Sequence, residues 1–161
     1  RYDPNTATTQ YHPTADVVVA EGVAYFMTSS NTAVNGVLHA VEIALQSPKW
    51  FHETPTENFS APSVKDELLY FGGVNGMLYA VAANTGGLAW SHQAEDIIFT
   101  SPAITGNVVY VGAADKNLYA FDTVTGNVLW QFRADSGVSS PAVADGVIFV
   151  GTEGGVLYAL E

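Results

Sequence analysis

The most informative stretch of the chain is Ala120-Phe121-Asp122-Thr123-Val124-Thr125-Gly126-Asn127-Val128-Leu129-Trp130. It opens on apolar residues, breaks at Thr125-Gly126 and closes on a β-branched and aromatic run, the pattern of two strands joined by a tight turn. Forty residues earlier the chain reads Ala80-Val81-Ala82-Ala83-Asn84-Thr85-Gly86-Gly87-Leu88-Ala89-Trp90. Trp50, Trp90 and Trp130 are spaced by 40 and 40. Leu38-His39-Ala40, Leu78-Tyr79-Ala80, Leu118-Tyr119-Ala120 and Leu157-Tyr158-Ala159 follow at 40, 40 and 39, and Ala61-Pro62, Ser101-Pro102 and Ser140-Pro141 at 40 and 39. Three independent markers share one period, so the chain is a repeat.

One period reads as four strands. In the third unit Pro102-Ala103-Ile104 runs to a turn at Gly106-Asn107, and Val108-Val109-Tyr110-Val111-Gly112 follows. A second turn falls at Asp115-Lys116, before Leu118-Tyr119-Ala120-Phe121. Thr125-Gly126 then leads into Val128-Leu129-Trp130-Gln131-Phe132. The second turn is Asn35-Gly36 in the first unit, Asn75-Gly76 in the second and Gly154-Gly155 in the fourth, residue types that tolerate the positive φ of short hairpins. No capped helical period of useful length is present. Short strands joined by such turns, repeated at about 40 residues, predict an all-β β-propeller of about four four-stranded blades per chain. The strands are named a to d, from axis to rim.

The first unit departs from this rule. Tyr25 to Leu38 spans 13 residues, against 8 from Tyr70 to Leu78 and from Tyr110 to Leu118, which predicts a five-residue insertion near Ser29–Val34. The preceding connection is shorter by the same amount, His12 to Tyr25 being 13 residues and His52 to Tyr70 being 18.

The stretch from Ala120 to Trp130 matches the tryptophan-docking pattern A-x-D-x-x-T-G-x-x-x-W, and the chain resembles the PQQ-like (pyrroloquinoline-quinone-type) propeller repeat family. Unit two has Ala82 in place of Asp; unit one keeps only Ala40, an acidic Glu42 and Trp50; unit four stops before its Trp. The resemblance implies structural docking by Trp50, Trp90 and Trp130, with Ala80, Ala120, Asp122, Thr85, Gly86, Thr125 and Gly126 as the rest of the pattern. Indoles on outer strands each bury on the order of 150–250 Å² against a neighbouring blade. On that basis Trp90→Ala or Trp130→Ala is expected to cost roughly 3–5 kcal/mol.

The domain reading is an N-terminal segment, 1–14, and four repeats over 15–161, at about 15–54, 55–94, 95–134 and 135–161. Aligning Gln10-Tyr11-His12 with Trp50-Phe51-His52 places Thr8–His12 as the closing outer strand of the fourth blade, with a tail over Arg1–Thr14 as the alternative. Four units close alone, or as half of an eight-bladed ring made by a homodimer. The resemblance implies seven or eight blades, which favours the dimer or a piece of a longer chain.

Lys and Arg total 5 and Asp and Glu 16, a formal net charge of -11. Phosphate binding needs clustered cations, so nucleic acid is excluded as a partner, as is a polybasic membrane contact. Charged residues are only 13% of the chain, about half the usual share of roughly 25%. The hydrophobic share of 48% argues for a folded core. With no cysteine, disulfides and thiolate chemistry are excluded. No apolar run reaches the 18 or so residues of a membrane-spanning helix. The polar opening Arg1-Tyr2-Asp3-Pro4 is not a signal peptide; it reads as a mature terminus or an artificial boundary.

His12, His52 and His92 recur at 40 and 40. Equivalent positions on successive outer strands lie too far apart to share one ion at about 2 Å ligand distances, so no metal site is expected. His39 replaces the Tyr of other units and reads as a packing variant. Asp122 and Glu42 read as acceptors of backbone hydrogen bonds in the c–d turn. Glu53, Glu57, Asp66, Glu67, Glu95 and Asp96 are expected to make one acidic face. Glycine pairs follow strands or occupy turns, with no helix to form a phosphate site.

These residues supply no catalytic set, no cofactor site and no metal site. The reading is a non-enzymatic binding scaffold with an unidentified protein partner, in which Phe51, Phe59 and Phe99, on or beside loops, are candidate contacts. The resemblance, through the outer-membrane assembly lipoprotein among its members, implies a periplasmic or extracellular setting. The alternative is a fragment or subunit of a quinoprotein dehydrogenase. Such enzymes resemble this chain in their repeats but carry quinone and calcium near the axis and often a vicinal cysteine pair.

Overall fold

The computed structural model describes residues 11–30, 35–57 and 60–161. The described elements are all strands. The first sheet contains β1 (Tyr11–Pro13), β2 (Val18–Ala20), β3 (Val23–Ser30), β4 (Gly36–Glu42) and β5 (Ser47–Thr54). The second is β6 (Ser63–Lys65), β7 (Leu68–Gly72), β8 (Met77–Ala82) and β9 (Leu88–Gln93). The third is β10 (Ala103–Thr105), β11 (Val108–Gly112), β12 (Asn117–Asp122) and β13 (Val128–Arg133). The fourth is β14 (Ala142–Ala144), β15 (Val147–Gly151) and β16 (Leu157–Leu160). Each is an up-and-down antiparallel sheet, one per repeat. Every a–b hairpin turns on two residues. Asp66 and Glu67, with φ of 47° and 65°, take the doubly left-handed geometry that matches the twist of the flanking strands.

The sheets stack as blades. The inner strands touch in series, β2 to β6, β6 to β10 and β10 to β14. The four sheets do not close alone into a ring. Alternate residues on each sheet face the preceding and the following blade, so the central strands are buried on both sides and read as nearly continuous apolar runs. Tyr25, Met27, Leu38 and Ala40 pack against Leu69, Phe71, Tyr79 and Val81. Tyr70, Leu78 and Ala80 pack against Val109, Val111 and Phe121, and Tyr110, Leu118 and Ala120 against Ile148 and Val150.

The insertion lengthens the first blade. β3 and β4 pair beyond the usual end of the ladder, through Thr28↔Val37 and Ser29↔Gly36. Gly36 is therefore the first residue of a strand and not part of the expected Asn35-Gly36 turn; residues 31–34 lie outside the described residues. The longer β3 leaves an edge past the reach of β2, and β1 occupies it, with Tyr11↔Ser30, His12↔Ser29 and Pro13↔Thr28. This corrects the expectation for Tyr11 and His12, which join the first blade and not the outer position of the fourth. Thr8, Thr9 and Gln10 lie outside the described residues, as does Phe59.

Two repeated hydroxyl devices tie the strands to the axis. Ser60 and Thr100 sit just ahead of the inner strands, buried. Each Oγ accepts from and donates to the backbone of the last residue of strand b: Gly72 N at 2.7 Å and O at 3.3 Å, Gly112 N at 2.9 Å and O at 2.7 Å. In the adjacent position the Ser101 hydroxyl accepts from Ala61 N and the Ser140 hydroxyl from Ser101 N, both at 3.0 Å, linking consecutive blades. A buried N–H without its acceptor costs about 1–3 kcal/mol. Thr100→Val keeps the shape of Thr100 but strands Gly112 N–H, so chemical denaturation should show a loss of about that size. The exposed Ser139, whose Oγ accepts from Gly151 N at 3.2 Å, should tolerate Ser139→Ala with a smaller loss.

Candidate functional site

The recurring tryptophans meet the turn glycines of the next blade, not those of their own. Ala40↔Trp50, Ala80↔Trp90 and Ala120↔Trp130 are cross-strand partners, and each alanine is fully buried. Trp50 lies on Gly86, where an added Cβ would fall 2.5 Å from the ring, and Trp90 lies on Gly126, at 2.6 Å. Both glycines also have positive φ, 71° and 69°, so shape and backbone both demand glycine.

The indole nitrogens are directed as well. Trp50 Nε1 donates to Ala83 O and Trp90 Nε1 to Thr123 O, both at 2.9 Å. A tyrosine from the same blade donates to the same carbonyl: Tyr25 to Ala83 O at 3.3 Å, Tyr70 to Thr123 O at 3.1 Å. One carbonyl thus uses both lone pairs for one neighbouring blade. Burial, and then Asp66 nearby, push the Tyr70 hydroxyl up to about 12, so it stays a donor. Tyr110 and Trp130 hold the same mutual geometry, ring centroids 5.7 Å apart against 5.9 and 5.8 Å in the other two pairs. Trp130 is nonetheless 37% exposed.

Within the turn, Asp122 Oδ1 accepts from Thr125 N at 2.7 Å, Thr125 Oγ1 at 2.8 Å and Val124 N at 3.1 Å. Those bonds hold its carboxyl below the usual range. Ala82 takes this place in blade two, and the turn still forms through Gly86 N to Ala82 O at 2.7 Å.

The histidines are spread along the blades. His52 Nδ1 donates to Gly86 O at 2.8 Å, and His92 lies edge-on to Phe121 at 4.9 Å. His39 is buried, stacks on Phe26 at 4.9 Å and hydrogen-bonds Thr28 Oγ1 through Nε2 at 2.9 Å. Among the described residues no three His, Asp or Glu side chains converge as a metal site would require.

The acidic residues do not form one face. Glu57, Glu95 and Asp96 lie in the d–a connections, whereas Asp66 and Glu67 form the β6–β7 turn at the opposite end, because successive strands reverse direction. A shallow cleft of about 200 Å³ opens beside that turn, lined by Glu21, Tyr25, Lys65, Asp66 and Glu67. At the other end the β9–β10 connection is pinned by Ile98, fully buried over Gly72, and by Ala114 N to Ile97 O at 2.9 Å. Alternation then turns Ile97 and Phe99 outward, 37% and 40% exposed. Phe51 sits within β5 and is 64% exposed. The axial Ser-Pro hydrogen bonds and the paired tyrosine donors were not anticipated from the sequence. Their signal was the same 40-residue recurrence.

Fold and seam define a β-propeller of PQQ-like repeats. The family model described as outer membrane protein assembly factor BamB matches residues 34–161, and the chain belongs to that family. No curated protein matches it by sequence. BamB from Moraxella catarrhalis is similar in structure, with a TM-score of 0.79 at 19% identity, over 97% of this chain and 48% of that one. The computationally designed Ika4 protein gives 0.83 at 20%, over 99% of this chain and 94% of that one. Quinohemoprotein alcohol dehydrogenase ADHIIG from Pseudomonas putida HK5 gives 0.71 at 18%, over 85% and 28%. The chain spans about half the length of the BamB structure. At these identities the likeness is one of fold. Among the described residues no helix is long and apolar enough to cross a membrane.

The seam separates two substitutions that the sequence treats alike. Trp90→Ala removes a filled hydrogen bond and an occupied interface, and should cost about 3–5 kcal/mol in urea unfolding. Trp130→Ala should cost clearly less in the isolated chain. A pH effect follows from His39, whose pKa burial pushes down to about 4 from 6.5. A buried neutral imidazole stabilises fully above 6.5, and its contribution is lost as pH falls from 6.5 to 4, by up to about 3 kcal/mol. Burial lowers His92 in the same direction. His39→Tyr, which installs the residue of the other blades, should flatten the difference between midpoints at pH 7 and pH 4.5.

Proposed function

We propose that this chain is a non-enzymatic binding scaffold for a protein partner in an extracytoplasmic compartment. The reading is carried by the match of residues 34–161 to a family described as an assembly factor for outer membrane proteins. The end of the blades that bears the lengthened β3–β4 hairpin supports it. There Ile97 and Phe99 project from a connection held rigid by Ile98, with Glu95 and Asp96 beside them. A fixed apolar pair flanked by carboxylates suits a partner segment that presents apolar and basic side chains. The side chains that look chemical in the sequence, His52, Asp122, Trp50 and Trp90, are engaged in structural hydrogen bonds.

A photoreactive phenylalanine analogue at Phe99, in an extracytoplasmic extract, should give a discrete protein adduct that Ile97→Asp suppresses. The same label at Val124, at the opposite end of the blades, should give none. Saturable binding of pyrroloquinoline quinone with calcium, followed by absorbance and accompanied by alcohol oxidation, would replace this reading with a quinoprotein one.

A further inference from the structure

The seam between the second and third blades is bridged at its turn end by an ammonium that the first seam lacks. Lys65 is the last residue of β6 and pairs with Leu68 across the turn. Its side chain crosses to the third blade, where the ammonium donates to Gly106 O in the β10–β11 turn. That side chain is only 30% exposed, so an apolar four-carbon stem lies along the seam with its charge at the tip. Ala20 is the matching residue of the first blade, paired with Val23 in the same register. A methyl stands there in place of the whole stem. The carbonyl that matches Gly106 O is Asp66 O, and among the described residues nothing donates to it. The cleft of about 200 Å³ opens at this point, over Ala20 and Val64 and against Asp66. It exists because Ala20 is too short to make the crossing that Lys65 makes.

The charges around the two positions differ in the same sense. The acceptor turn of the second seam is Gly106-Asn107 and carries no carboxylate. The acceptor turn of the first seam is Asp66-Glu67, and Glu21 faces it from the first blade. Glu21 lies close enough to Tyr25 to add its charge to the burial that raises the tyrosine hydroxyl. Neither Glu21 nor Glu67 makes an ion pair among the described residues. Two cations stand nearby. The Lys65 ammonium is committed to Gly106 O and to Asp66, 3.8 Å from Oδ2. Lys49 borders the adjoining cavity of about 90 Å³, which shares Glu21 and Glu67.

We infer that the cleft between the first and second blades binds an alkylammonium group from outside the chain, with its nitrogen on Asp66 O and its carbon stem along Ala20 and Val64. The second seam shows the same contact made by the chain's own lysine. Carboxylates beside the nitrogen make its hydrogen bonds charge-assisted, the stronger class. The group is the lysine side chain of another protein or a free aliphatic diamine, since both carry a primary ammonium on a flexible apolar stem. The site lies at the opposite end of the blades from Ile97 and Phe99, and does not depend on the scaffold reading.

The test is a titration of the full chain followed by two-dimensional amide NMR. The probes are putrescine, a four-carbon diamine, and Nα-acetyl-lysine methylamide, with n-butanol as the neutral control at matched ionic strength. Each amine that binds should give saturable shifts confined to Glu21, Gly22, Asp66, Glu67 and Ala83, and n-butanol none. The tighter of the two amines identifies the source. Ala20→Lys supplies the missing ammonium from within and should abolish the shifts while the amide dispersion stays native. Glu21→Gln with Glu67→Gln should weaken the tighter amine by about tenfold or more, through loss of charge assistance. Shifts that fail to saturate, that spread over acidic residues elsewhere, or that n-butanol reproduces would overturn the proposal. So would unchanged amine affinity in a natively dispersed Ala20→Lys variant. Should that variant not fold, undiminished affinity in the Glu21→Gln, Glu67→Gln chain would overturn it equally.

Discussion

The architecture depends on one contact, an indole laid on a turn glycine of the next blade with its N–H aimed at that turn's carbonyl. The contact joins three requirements in one place. The apolar ring needs a flat surface, the turn needs positive φ, and the carbonyl ahead of the turn needs donors. Trp50 on Gly86 and Trp90 on Gly126 meet all three. Since the tyrosine of the same blade shares the acceptor, each blade orients its neighbour through a fixed fork of two donors. Dispersion between sheets sets how closely blades approach; the fork sets their rotation.

This arrangement makes stability local to each seam, as in other repeat structures where a unit contacts only its neighbours. A seam with its full complement excludes water from Tyr70 and His92, which raises the one and lowers the other for the same reason, loss of hydration of the charged form; His39 is lowered by burial within the first blade, beside Phe26 and Thr28. The apolar content of a chain with few charges is therefore spent between sheets. The ends of the blades are left to loops and carboxylates, and recognition falls there. The lengthened first hairpin and the pinned Ile97–Phe99 connection share one end because b–c turns and d–a connections always do in an up-and-down sheet.

Much of the fold was legible. Period, strand order, turn positions and the absence of useful helices all follow from patterns that lie within 40 residues of each other. The candidate site was legible only in part. Trp90 and Gly126 belong to different blades, and a pattern read along one unit pairs Trp130 with Gly126 instead. Likewise Asp66 and Glu67 looked continuous with Glu57 and Glu95 in sequence, but strand reversal places them at opposite ends. Phe51, expected on or beside a loop, lies within β5, which is eight residues long.

By itself the sequence determined the repeat, the blade as its unit and the residue types that each seam consumes, because hydrogen-bonded hairpins and alternating burial are short-range consequences of residue order. Only the tertiary structure decided which indole meets which glycine, where β1 docks and which faces stay exposed. Those outcomes depend on how whole sheets stack, and stacking brings together residues 33 or more positions apart.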